Sequence, residues 1–108
     1  MTAASSVTEL EVCGADEVVP GTALKVETGG LTLAVFNVDG QFYVTDDACT
    51  HGPGSLSEGE IFDDVVECNF HQGQFCIRTG DPVLPPCTEP VKTYPATVKD
   101  GRVVIQVS

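Results

Sequence analysis

Short runs of apolar and β-branched residues, each closed by turn chemistry, set the pattern of this chain. Thr22 to Thr28 alternates moderately, Gly29-Gly30 interrupts it, and Leu31 to Val38 is dense in Leu, Val, Ala and Phe. Asp39-Gly40 then offers a type I′ turn, because glycine tolerates positive φ, and Gln41 to Thr45 returns as the partner strand. The device recurs near the end, where Thr93 to Lys99 is followed by Asp100-Gly101 and by Arg102 to Val107. Val103, Ile105 and Val107 fall on one face there by period-two alternation. No window of about 11 residues or more shows helical periodicity with caps, and the 11 glycines and 7 prolines are spread throughout. The pattern predicts a mostly β chain, built as a small antiparallel sandwich or barrel.

Between the two hairpins, from Ala48 to about Pro90, the character changes: turn residues are dense, and the segment reads as an insertion that carries a site. Glu60 to Cys68 still reads as a hairpin around Asp63-Asp64, and Gln74 to Arg78 as a short strand ending at Thr79-Gly80. Asp81 to Pro90 holds four of the seven prolines and predicts a stiff irregular loop. No internal repeat or interdomain linker is present, and 108 residues suffice for one domain with one modest core.

Charge narrows the function classes. The net charge is −11, and no Lys or Arg occurs between Lys25 and Arg78, while Asp46, Asp47, Glu58, Glu60, Asp63, Asp64 and Glu67 fall within that gap. Nucleic acid and anionic membrane both require a basic patch, so neither is expected as a partner. A one-signed surface suits steering toward positively charged partners, and it also simply aids solubility. The N-terminal stretch MTAASSVTELEVCG has no basic segment followed by an apolar one, so the expected location is the cytoplasm. Five cysteines in such a chain point to metal or redox chemistry before a disulfide framework.

The informative residues are Cys49-Thr50-His51 and, after sixteen intervening residues, Cys68-Asn69-Phe70-His71. They include the chain's only two histidines, each within two or three residues of a cysteine. Each segment supplies one thiolate and one imidazole. Glycines follow each pair, Gly52 and Gly54 in the first and Gly73 in the second, and let backbone N–H groups approach an anionic centre.

Cys-x-His, a spacer, then Cys-x-x-His resembles the Rieske iron–sulfur signature. The resemblance implies that Cys49 and Cys68 bind the inner iron of one [2Fe-2S] cluster and that His51 and His71 bind the outer one. It extends through Gln72-Gly73-Gln74-Phe75, Ile77-Arg78-Thr79-Gly80 and Val91-Lys92-Thr93-Tyr94-Pro95, which look like the ferredoxin components of bacterial aromatic ring-hydroxylating dioxygenase systems. The fold it implies is an all-β Rieske domain over residues 1–108, a base of strands from both ends with a cluster-binding subdomain at about 46–86. The function it implies is one-electron transfer in aromatic hydrocarbon catabolism, from a NAD(P)H-dependent, flavin-containing ferredoxin reductase to a terminal Rieske oxygenase, with no catalytic residue in this chain. Nothing demands more than a monomer.

High-potential members of the family have an extra disulfide-forming cysteine in each cluster loop, where this chain has Gly54 and Phe70. They also carry a serine and a tyrosine that donate to sulfur, where it has Gly73 and Phe75. Fewer donors leave the reduced cluster's added charge less stabilised, so the expected potential is roughly −150 mV rather than +300 mV.

Other readings of the four residues are a structural zinc module, a Cys-His nucleophile, and a Rieske-like small subunit of nitrite reductase type without a cluster. Zinc fingers usually pair cysteine with cysteine, whereas alternating Cys-His pairs suit a cluster whose two irons differ in ligands. Cys13, Cys76 and Cys87 fit no further metal spacing and are expected as small buried hydrophobes, with Cys87 in the proline-rich loop beside Pro85 and Pro86. Phe70 and Phe75 are expected to pack and exclude water.

Overall fold

A computed structural model describes residues 8–48, 54–68, 73–84 and 89–107. Strands β1 (Thr8–Gly14), β2 (Ala23–Thr28), β3 (Leu31–Val38) and β4 (Gln41–Asp46) occupy the first half. The short strands β5 (Glu60–Phe62), β6 (Val65–Glu67), β7 (Gln74–Cys76) and β8 (Pro82–Leu84) follow, and β9 (Thr93–Tyr94), β10 (Ala96–Lys99) and β11 (Arg102–Val107) close the chain. Two single 3-10 turns, Ala15–Glu17 and Leu56–Glu58, are the only helical elements among the described residues. None is long and apolar enough to cross a membrane.

The strands form three antiparallel sheets, in the orders β1-β11-β10, β2-β3-β4-β9 and β5-β6-β7-β8. Three hairpins turn on residue pairs that both take positive φ: Gly29-Gly30, Asp39-Gly40 and Asp100-Gly101. Such turns match the right-handed twist of the strands they join. Asn37 secures the second of these turns. Buried, it donates through Nδ2 to the Val18 carbonyl (2.8 Å) and accepts from the Gly40 amide (2.8 Å).

β3 is the spine of the molecule. Its unbroken apolar run is buried on both faces, and alternation sends Leu33 and Val35 one way and Ala34, Phe36 and Val38 the other. The first face packs with Cys13, Val18, Val44, Tyr94, Val103 and Ile105, joining the first two sheets. The second packs with Leu56, Val66, Cys68, Phe75, Ile77 and Val91, joining the central sheet to the third. One strand therefore ties the base to the segment that carries the candidate ligands.

Four details differ from the expectations. β1 pairs along β11 from Thr8↔Val107 to Gly14↔Arg102, with a bulge between Glu11 and Cys13. That bulge breaks the Leu10, Val12 alternation and hides the strand in the sequence. β7 stops at Cys76, because the Ile77 amide turns to the Asp64 carbonyl (2.7 Å) and Gly80 closes back on Cys76 (2.7 Å). Within the expected irregular loop, Pro82–Leu84 is an edge strand, a place where proline's missing N–H costs no ladder bond. Thr93 to Lys99 is two strands, divided at Pro95.

Tyr94 links base and site. It is buried, and its hydroxyl donates to Asp46 Oδ1 (2.6 Å) at the end of β4. Burial first, then the Asp46 carboxylate, push the phenol's pKa well above its ordinary value. A folded state that favours the neutral phenol is stabilised fully below the unfolded tyrosine pKa, about 10, and loses that contribution as pH rises through the folded value. Tyr94→Phe is expected to cost about 1 kcal/mol near neutral pH. It is also expected to flatten the alkaline fall in stability, read from denaturant midpoints between about pH 7 and pH 11.

Candidate metal centre

The first ligand segment is rooted between β4 and the Leu56–Glu58 turn. Ala48 and Ser55 bridge in antiparallel fashion, the Leu56 amide donates to the Asp47 carbonyl (2.8 Å), and the Asp47 amide donates to the Thr32 carbonyl on β3 (3.0 Å). Asp47 itself is 3% exposed. Its carboxylate accepts from the Ser57 amide at Oδ1 (2.9 Å) and from the Ser55 hydroxyl at Oδ2 (2.6 Å). Lys25 Nζ stands 3.9 Å from Oδ2.

The second segment is rooted between β6 and β7, where the Cys68 amide donates to the Gly73 carbonyl (2.7 Å). Cys68 is 1% exposed, outside any disulfide, and part of the second core cluster together with Leu56. The two roots are in backbone contact as well: a Cβ added to Gly59 would fall on the Glu67 carbonyl oxygen. Sequence positions far apart in the chain are thus brought to one end of the third sheet.

Of the four residues singled out by spacing, Cys68 is placed at this end of the sheet. Cys49, His51 and His71 lie outside the described residues, as do Phe70, Pro85, Pro86 and Cys87. Phe75 is fully buried beside Cys68 in the second cluster, which agrees with a packing role. Cys13 is 4% exposed, and burial, then Glu17, raise its thiol pKa against a smaller opposing effect of Arg102, so it behaves as an inert small hydrophobe. Cys76 departs from that expectation in being only half-buried, at the rim of β7. Among the described residues no group of three or more His, Cys, Asp or Glu side chains forms another metal site.

Asp47 is the residue that sequence reasoning passed over. It stood only as one of a run of acids, and its partners, Ser55 and Ser57, lie across the ligand segment. No local spacing rule connects them.

The donor set fits a cluster with unlike irons. Two thiolates and two imidazoles are divided between two segments whose roots share one apolar core, and a buried thiol is already at the inner end. Arg78, the only Lys or Arg between Lys25 and Lys92, is held by Asp64 (3.2 Å) and by the Tyr43 hydroxyl (2.5 Å), over whose ring it lies.

Comparison with known proteins agrees with this geometry. Residues 8–95 match the Rieske [2Fe-2S] domain model. The chain belongs to the Rieske [2Fe-2S] domain family. It is 48% identical to the biphenyl dioxygenase ferredoxin subunit of Pseudomonas sp. (strain KKS102), over 94% of both chains. The Sphingomonas yanoikuyae B1 ferredoxin superposes with a TM-score of 0.89 at 41% identity, covering 94% of this chain and 100% of that one. A ferredoxin chain in a complex of reduced oxygenase and oxidized ferredoxin in carbazole 1,9a-dioxygenase superposes with a TM-score of 0.84 at 47% identity, covering 90% and 91%.

Proposed function

We propose that this chain is a Rieske-type ferredoxin, a one-electron carrier that serves an aromatic ring-hydroxylating oxygenase and is not itself an enzyme. One observation carries the reading: the roots of both ligand-bearing segments meet on a single buried cluster, at Leu56 and Cys68. Cys49 and Cys68 would hold one iron and His51 and His71 the other, within a cluster-binding subdomain of about residues 46–86. A bound [2Fe-2S] cluster supplies a couple that takes up and releases one electron. The chain's own residues set the conditions for it. Cys68 is fixed by the hydrogen bond its amide donates to the Gly73 carbonyl, water is excluded by Leu56, Val66 and Phe75, and the acidic surface orients the approach of partners.

A flavin-containing reductase as donor and a terminal Rieske oxygenase as acceptor, both cytoplasmic, complete the reading. The oxygenase half is supported by the carbazole dioxygenase complex, in which a similar chain sits on its oxygenase. Phe75, buried and without a hydroxyl, offers no O–H donor to sulfur. The midpoint is therefore expected near the low end of the Rieske range, about −150 mV, and a redox titration giving a clearly positive value would contradict it.

The test of the whole reading is the EPR spectrum of anaerobically purified protein before and after dithionite, with iron and sulfide measured on the same sample. A silent oxidised form that becomes a rhombic signal of low average g, with about two irons per chain, is the expected result. A colourless sample, with or without zinc, would overturn it.

A further inference from the structure

We propose that Asp47 is a positioning residue for the cluster: its carboxylate clasps the two ends of the Cys49–His51 segment together, and its charge holds the reduction potential down. The inference rests on the ligand set proposed above and goes beyond it.

The clasp has bonds on both sides of the segment. Before it, the Asp47 amide is anchored to Thr32 on the spine strand. After it, Ser55 Oγ and the Ser57 amide donate to the carboxylate, and the Leu56 amide donates to the Asp47 carbonyl. Ser55 Oγ also lies 3.2 Å from Ser57 Oγ, so the second hydroxyl braces the first. Ala48 and Ser55, which bridge to each other, are thereby held together on the same core that buries Cys68.

A plain capping role does not account for the choice of side chain. An asparagine would cap the Leu56–Glu58 turn comparably without placing a charge out of water, which is among the more costly things a fold can do. Among the described residues, two hydrogen bonds reach the carboxylate, and the half-exposed Lys25 ammonium is 3.9 Å away. A buried negative charge two residues from Cys49 opposes the extra electron of the reduced state. In a poorly screened interior such a charge acts more strongly than any carboxylate on the surface.

The experiment compares Asp47→Asn, Ser55→Ala and Asp63→Asn with the parent, all as cluster-loaded protein. The readouts are the midpoint, the g values of the reduced state and the rate of iron release to a chelator. Asp63→Asn changes the net charge equally on an exposed turn, at a positive-φ position that asparagine accepts. Asp47→Asn is expected to favour the reduced form by about tenfold, a rise of about 59 mV for a one-electron couple, while Asp63→Asn leaves the midpoint in place. Ser55→Ala keeps the charge and loosens the clasp, so its iron release is expected to quicken several-fold with shifted g values. A midpoint for Asp47→Asn equal to that of Asp63→Asn overturns the charge role. Iron release from Ser55→Ala at the parent rate overturns the clasp, and this variant decides the clasp even if Asp47→Asn fails to fold. A parent without two irons and a rhombic signal defeats the ligand reading instead, and is separable because it is measured first.

Discussion

Cys68→Ala is expected, on the proposed ligand set, to yield a protein without a cluster: iron falls from about two per chain to near zero, and the visible absorption is lost. The reason is coordination more than packing. Shortening a buried cysteine to alanine removes one sulfur from a site that is 1% exposed, a cavity cost of about 1 kcal/mol, which a domain of this size tolerates. On the ligand set proposed above, Cys68 would be one of the two thiolates holding the inner iron, and alanine offers no donor atom in its place. Cys49→Ala is expected to behave alike.

The control lies in the other core. Cys13 is 4% exposed and packs between the first two sheets, so Cys13→Ala removes the same atom at a similar packing cost and keeps its full iron. Iron and sulfide analysis of the two variants side by side separates ligand from filler. Full visible absorption in Cys68→Ala would remove the basis for the site. Loss of iron in Cys13→Ala would show that simple destabilisation of the base releases the metal.

The parts of the fold legible in the sequence were those in which local chemistry and tertiary pairing agree. Asp39-Gly40 and Asp100-Gly101 carry their turn type in the residues themselves, and the strands beside them, β3 with β4 and β10 with β11, follow. β1 was hidden by its bulge between Glu11 and Cys13, and β8 by Pro82, whose usual meaning reverses at a sheet edge. The candidate ligand motif stands out in the sequence because its residue types are rare and closely spaced. Asp47 was not, since what distinguishes it from Asp46, Asp63 or Asp64 is burial against Ser55 and Ser57, and burial is a product of the whole fold.

Gly80→Ala is expected to be among the most damaging single-methyl additions to this chain. Gly80 is buried with φ +82°, and its amide donates to Cys76 while its carbonyl accepts from the Val91 amide (2.9 Å). It therefore fastens both ends of the 81–90 stretch to the third sheet. A Cβ there would fall on the Val91 carbonyl oxygen and meet Thr93 Cγ2 at 2.9 Å. The obstacle on one side is backbone, so no rotamer change relieves it. Gly21 supplies the reference, with nearly the same φ, +84°, and nothing within 4 Å of an added Cβ. Gly21→Ala should show the conformational cost alone, about 1–2 kcal/mol, whereas Gly80→Ala adds the collision and should reach roughly 4 kcal/mol or more. For a chain near 100 residues each kcal/mol lowers Tm by about 4–8 °C, so the two variants are expected to differ by at least about 10 °C in thermal melts. Equal melting points would mean that Val91 yields to the new methyl. The approach of Gly80 to Val91 would then be a close fit without a structural demand, and the root of the 81–90 stretch would have to be held by β8 alone.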